Sequence, residues 1–389
     1  MLVSIILSFL MSIVIFFFVV MTQNFSVTSI IYAAFLLFLF ARMTFSESKI
    51  KGSGVIYRRI FQILFALFFT FSFIARLIDE RGSMEITAAA SAASKIPFCH
   101  IAIPQVFLPF LLAKEIIFPA RITGHFASIA SMLGIWFVTT ILLGRGWCSW
   151  VCFYGGWEEG FSHIGKKRRL NLLSHNKEIR EFQFGFLAFI ALASLGLFSS
   201  VYCAWFCPFK TVTEYSPFNS VPNIVGGCVF ISLFIALVVV LPILTKRRTQ
   251  CSSLCPFGAF ASLTDGLSLF RIKIDTEKCK GCLKCAAACP FGAIDISTIK
   301  EKKGKPELTC SKCGECVKVC SEKAISYSFR FEKICGHPEP RTAFGRGIQA
   351  FLDPANLFRF AAFSFGAAMS GSFVVDSLNR IVGFVQGLL

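Results

Sequence analysis

The chain has 389 residues, of which 55% are hydrophobic and only 16% charged, and its mean hydropathy is +0.68. That balance argues against a soluble globular domain and for an integral membrane protein. The net charge of +17, from 39 Lys and Arg against 22 Asp and Glu, is read as the basic-loop bias of a membrane protein, with no nucleic-acid partner expected.

Crossing a hydrocarbon core of roughly 30 Å takes about 20 apolar residues. Runs at 2–22, 60–76, 125–144, 182–202 and 223–244 are the good candidates, with weaker ones at 27–43, which is short, and at 357–375, which is rich in Gly and Ala. The first run lacks a basic leader and a small-residue cleavage site, so it is predicted to stay as a spanning helix. The segment 98–118 is apolar but carries Pro104 and Pro109, which fits a re-entrant or interfacial element. The expected fold is a polytopic α-helical membrane protein of about six or seven spans plus that segment.

Basic residues cluster in three places: Arg42, Lys49, Lys51, Arg58 and Arg59; Lys166, Lys167, Arg168, Arg169, Lys177 and Arg180; and Lys246, Arg247 and Arg248. All fall on one side if the spans alternate and 77–124 does not cross, and that side is expected to face the cytoplasm of an inner membrane. Five segments follow: N-terminal spans at 1–76, an outer and re-entrant segment at 77–124, a membrane core at 125–262, a polar domain at 270–335, and a linker with a final span at 336–389.

The polar domain contains an internal repeat. Cys279, Cys282, Cys285 and Cys289 have the spacing C-x2-C-x2-C-x3-C, and Cys310, Cys313, Cys316 and Cys320 repeat it. This is the ligand run of a bacterial-type α+β ferredoxin with two 4Fe–4S clusters, in which the fourth Cys of each run serves the other cluster. The expected sets are therefore Cys279, Cys282, Cys285 and Cys320, and Cys310, Cys313, Cys316 and Cys289. Zinc modules pair their ligands across a long spacer instead. Ser321 stands where a proline is usual after the last ligand.

Three Cys-x3-Cys pairs lie in the apolar region: Cys148/Cys152, Cys203/Cys207 and Cys251/Cys255. On one helix, i and i+4 share a face, so each pair offers half of a four-thiolate set. Sorted by side, Cys148, Cys152, Cys251 and Cys255 form an inner set. Cys99, Cys203, Cys207 and Cys228 form an outer one, with His100 as a substitute ligand. The outer four have two rivals: disulfides in an oxidising compartment, or Cys228 as a plain apolar residue. Cys335 is left over. His100 and His125 are weaker candidates for a haem or quinone, and Arg145, Glu158 and Glu159 are read mainly as headgroup anchors.

The stretches "GRGWCSWVC" and "CSSLCPFGAF", with the double ferredoxin run, make the chain resemble the membrane polyferredoxins of the NapH, NosR, MauN and YccM type. The resemblance covers roughly residues 98–335. It implies ligand roles for Cys148, Cys152, Cys251, Cys255 and the eight repeat cysteines, and electron relay in a respiratory or maturation pathway. Phe153 departs from the Pro usual after the second cysteine, and no flavin-attachment motif is present. The expected function is electron transfer between a cytoplasmic ferredoxin domain and the membrane or its outer side. The expected partners are the bilayer and redox proteins or oxidoreductase subunits. The alternatives are a quinol- or ferredoxin-oxidising subunit that keeps electrons on one face, and an assembly factor with structural clusters.

Overall fold

The computed structural model describes the chain except residues 1, 24, 82–98, 115–120, 123–124, 127–128, 166, 171–176, 214–218, 332–348, 350 and 389. Cys335, His175, His337 and nearly all of the 338–350 linker lie outside the described residues, as does the ring of His125. The chain divides into two units. The first comprises Met1–Phe69, Thr140–Gly156 and Asp265–Leu389, and the second Thr70–Thr139 and Trp157–Thr264.

Helices Leu2–Gln23, Val27–Lys49, Val55–Asp79 and Pro354–Gly387 are each long and apolar enough to cross a membrane; they belong to the first unit, the third only as far as Phe69. Ser26 caps the second of these by accepting the Ser29 N–H at 3.1 Å, satisfying one of the donors every helix start leaves open. The turn into the third is fixed by Glu47, whose carboxylate accepts the N–H groups of Gly52 at 2.7 Å and Gly54 at 3.0 Å. Gly52 has φ +82, and a Cβ there would strike the Lys318 backbone at 2.3 Å, so only glycine suits this turn. Glu47 also pairs with Arg359 at 2.6 Å, tying down the C-terminal helix. Aromatic contacts join the helices, with Phe61 on Phe363 at 5.1 Å and Phe69 on Phe373 at 4.6 Å. Phe9, Phe17, Ile31, Phe38 and Phe384 point outward, as a lipid-facing surface requires.

The cysteine repeat also lies in this unit. Strands Phe270–Ile274 and Ile325–Phe329 pair antiparallel with Ile272 opposite Tyr327, and the short helices Lys284–Ala288 and Glu315–Val319 pack together between them. An Asp295 capping box starts helix Ile296–Lys300.

In the second unit, helix Lys177–Leu197 packs against Ile103–Ala113, Thr249–Ser253 and Pro256–Thr264. Trp136 stacks on Phe260 at 5.0 Å. Helix Val221–Thr245 is spanning in length, yet only 6% of its apolar window is buried in the protein, and the rest of that window is exposed or half-buried.

Two apolar runs differ from expectation. In place of a span at 125–144, a hairpin pairs Arg121–Ile122 with His125–Phe126, and the helix that follows runs only over Ile129–Leu142. Its 14 residues reach about 21 Å at 1.5 Å per residue, short of a hydrocarbon core. The helix expected over 182–202 ends at Leu197, where Phe198 turns left-handed with φ 45. Ser199 and Ser200 follow, and serine favours caps and turns over helix interiors. The predicted membrane core is also divided, since 140–156 belongs to the first unit.

Candidate metal centres

Sixteen of the seventeen cysteines are described, and none of the sixteen is in a disulfide. In the repeat, backbone conformation places the thiols. Gly281 and Lys312, each two residues after the first Cys of a run, have φ 71 and 52. Leu283 and Gly314, each just after the second Cys, have φ 56 and 85. Alternating left- and right-handed residues turn successive N–H groups toward one point, a nest that suits an anionic cluster. Cys289 and Cys320 close the two runs with nearly equal backbone angles, φ −71, ψ 114 and φ −81, ψ 102. Ser321 therefore makes the turn that Pro290 makes.

Cys285 has Cys279 and Cys320 among its charge neighbours. Cys310, Cys313 and Cys316 each have Cys289 among theirs, and Cys316 also has Cys285. Burial pushes the Cys285 thiol up to about 11 and the Cys310 thiol up to about 12. Protonation at neutral pH follows for the bare thiols, and a cation load that holds them as thiolates relieves that cost. Four soft thiolates per set fit an iron–sulfur cube.

Lys312 sits inside the second ligand run and is 2% exposed. Its Nζ donates to Asp265 Oδ1 at 2.6 Å, Ser268 Oγ at 2.9 Å and the Leu143 carbonyl at 3.0 Å. Burial lowers its pKa, and the Asp265 carboxylate opposes that shift. The same run is joined to the Cys148–Cys152 loop in the first unit. Ser149 Oγ donates to Ser311 Oγ at 2.6 Å, and Trp150 Nε1 donates to the Lys312 carbonyl at 3.2 Å. Arg58, fully buried, donates to the Ser149 carbonyl at 2.7 Å and meets Glu315 at 3.4 Å. Gln62 Nε2 holds the carbonyls of Cys148 and Cys152 at 2.9 and 3.1 Å.

None of the three Cys-x3-Cys pairs lies within one helix, so the shared-face geometry does not apply. Cys148, Cys203 and Cys251 sit in short helices Trp147–Trp150, Val201–Trp205 and Thr249–Ser253. Cys152, Cys207 and Cys255 lie past the helix end, just before a new one. Cys152 N–H bonds back to Trp147 O at 2.9 Å, and Cys255 N–H to Gln250 O at 3.0 Å. Their sulfurs accept the N–H of Gly155 and of Gly258, each at 3.4 Å. Phe153 thus supports the turn that Pro256 supports.

Cys148 and Cys152 lie in the first unit, and Cys251 and Cys255 in the second. Around Cys207 the thiols of Cys203, Cys99 and Cys255 are within electrostatic range. Cys228 is exposed on helix Val221–Leu233 and is not among the neighbours that bear most on Cys207. His100 is buried, with its ring 4.8 Å from that of Phe257. Arg145, Glu158 and Glu159 are 0%, 0% and 1% exposed, so they are internal groups, not headgroup anchors. Glu158 accepts the N–H groups of Gln250 at 2.8 Å and Cys251 at 3.0 Å. Sequence reasoning missed Gln62, Gln105, Tyr202 and Gln250; a lone amide in an apolar run was the available signal, because burying it demands partners.

Two family models match the chain. A 4Fe-4S dicluster domain covers residues 271–321. A 4Fe-4S binding domain covers 125–171, 183–216 and 229–276, each segment containing one Cys-x3-Cys pair and none containing Cys99 or Cys228. The chain is 28% identical over 172 residues to the "Putative electron transport protein YccM" of Escherichia coli K12. The match covers 42% of this chain and 47% of that protein, so the chain spans about half the length of this curated relative. No solved structure matches. With its thiol sets, its helices long and apolar enough to cross a membrane and both domain matches, the chain is similar to YccM-type iron–sulfur electron transport proteins and carries 4Fe–4S-binding domains.

Proposed function

We propose that the protein relays electrons between the two clusters of its cysteine repeat and cluster sites in its Cys-x3-Cys region. An iron–sulfur cluster supplies one-electron chemistry, and the protein supplies position and potential. The observation that carries this reading is the seam in the first unit between the Cys310–Cys316 run and the Cys148–Cys152 loop. Ser149 to Ser311, Trp150 to Lys312 and Arg58 between Ser149 and Glu315 join two cysteine-bearing loops through direct hydrogen bonds. Such a seam fixes the spacing of whatever the two loops hold, as electron transfer requires and a purely structural cluster does not.

Within this reading, Cys279, Cys282, Cys285 and Cys320 hold one cluster, and Cys310, Cys313, Cys316 and Cys289 the other. The basic-loop bias supports a cytoplasmic face of an inner membrane for the repeat, the side on which redox proteins or oxidoreductase subunits would dock. The test is freeze-quench EPR on anaerobically purified full-length protein mixed with a reduced low-potential donor. Signals of the Cys-x3-Cys region are expected to appear after those of the repeat, and to be lost or delayed in Cys313→Ala. Equal reduction of that region in Cys313→Ala, or no signal beyond the repeat, would overturn the relay.

A further inference from the structure

We propose that Cys99, Cys203, Cys207 and Cys255 form one four-thiolate iron–sulfur site within the second unit, with Cys255 in the place that sorting by membrane side gives to Cys228. The proposal rests on the reading that the Cys-x3-Cys region binds clusters, and it names which sulfurs share one.

Three segments carry these cysteines, and side chains lock all three together. Gln105 joins the first to the second: its Oε1 accepts the Tyr202 N–H at 2.9 Å, and its Nε2 donates to Cys203 Sγ at 3.4 Å. Gln250 joins the second to the third, donating from Nε2 to the Tyr202 hydroxyl at 2.9 Å. The third returns to the first through the His100 and Phe257 rings at 4.8 Å. His100 adjoins Cys99, Tyr202 adjoins Cys203, and Phe257 is two residues from Cys255.

The sulfurs follow from this frame. Cys203, Cys99 and Cys255 bear electrostatically on Cys207, and Cys207, Cys255 and Cys203 bear on Tyr202. N–H groups donate to the sulfurs of this set: Gln105 to Cys203, Phe209 to Cys207 and Gly258 to Cys255. Hydrogen bonds of that kind are how a protein supports and tunes cluster sulfurs. The repeat shows the same device, where Ala293 N–H donates to Cys289 Sγ at 3.3 Å.

Cys251 is held elsewhere. Its N–H donates to Glu158 Oε2 at 3.0 Å, and Arg248 Nη2 donates to its sulfur at 3.7 Å. The helix break between Ser253 and Pro256 lets the two cysteines of this pair serve different surroundings. Cys228 lies on a helix with no buried residue over Val221–Leu233.

The test counts iron and acid-labile sulfide on anaerobically purified full-length protein, with the EPR signals of the repeat as the control for folding. Cys203→Ala and Cys255→Ala are each expected to lose about four irons, one cube. The double variant is expected to lose no more than either single one, and Cys228→Ala to keep the wild-type count. A loss of about eight irons in the double variant, or about four in Cys228→Ala, would overturn the assignment. Wild-type protein with only about eight irons, unchanged by any of these substitutions, would instead remove cluster binding from the region altogether. If an alanine variant fails to fold, maleimide labelling of wild-type protein before and after iron chelation decides the matter. Cys99, Cys203, Cys207 and Cys255 should become reactive together while Cys228 reacts from the start; protection of Cys228 until iron is removed would refute the set.

Discussion

The cysteine repeat and the second unit bring thiols together in different ways. In the repeat, three sulfurs of each set come from 279–285 or 310–316, and left-handed residues at matching places curl the backbone around them. In the second unit, the sulfurs come from segments joined by contacts that span 98 and 48 positions of sequence. There the geometry depends on Gln105, Tyr202 and Gln250 reaching one another. A site built from local backbone tolerates change elsewhere, whereas one built from distant side chains fails when a remote amide is lost.

The largest effect should come from the repeat's ligands. Cys289→Ala and Cys313→Ala are expected to abolish the same EPR signal and about four irons each, and Cys320→Ala the other signal. Two distinct signals lost in Cys289→Ala and Cys313→Ala would show that the runs do not exchange their fourth cysteine. Next is Arg58→Ala, which takes a fully buried guanidinium from the Ser149 carbonyl and leaves Glu315 to Arg59, 2.6 Å away. Losing a charged hydrogen bond to a buried carbonyl costs roughly 1.5–3 kcal/mol, read as a lower thermal midpoint. Arg58→Lys should rescue little, because one ammonium cannot serve the carbonyl, Gln62 and Glu315 as the planar fork does.

Tyr202→Phe sharpens the contrast on the other side. It leaves the buried Gln250 amide without its hydroxyl partner, at a cost of about 1–3 kcal/mol. Loss of iron from the second unit with the repeat's signals intact should accompany it. Lys312→Met removes a buried positive charge beside the second ligand run. Reduction adds negative charge to a cluster, so the lysine favours the reduced form, and its loss should lower that cluster's midpoint potential. A shift of roughly 60 mV corresponds to about 1.4 kcal/mol for one electron; an upward shift would contradict this placement. The smallest effect belongs to Lys280→Ala, whose pair with Glu322 at 2.9 Å is solvent-exposed, so neither iron content nor thermal midpoint should move.

Much of this was legible in the residues. The repeat at 279–320 announces a 4Fe–4S domain, which the family match over 271–321 bears out, because the spacing of thiols around a cube is set over a few bonds of local chain. The spans at 2–23, 27–49, 55–79, 221–245 and 354–387 follow from apolar length alone. Where the pattern misled, a local feature intervened. Phe198 turned left-handed and ended one run early, and a hairpin at 121–126 consumed the start of another. Arg58 and Arg248, counted as topology signals, are buried and face Glu315 and Glu159. A charge in a sequence does not reveal whether its counter-ion lies in solvent or on a distant segment.

The sequence by itself determined which sulfurs are candidates, that their spacing repeats and which stretches are long and apolar enough to enter a bilayer. Each depends on short-range spacing or on composition. Only the tertiary structure decided that every Cys-x3-Cys pair straddles a helix break, that Cys255 lies among the charge neighbours of Cys207 along with Cys99 and Cys203, and that Cys228 is exposed. The physical reason is that a broken helix frees its second cysteine from the face of the first. Its direction is then set by hydrogen bonds to residues far away in the chain, which no spacing rule encodes.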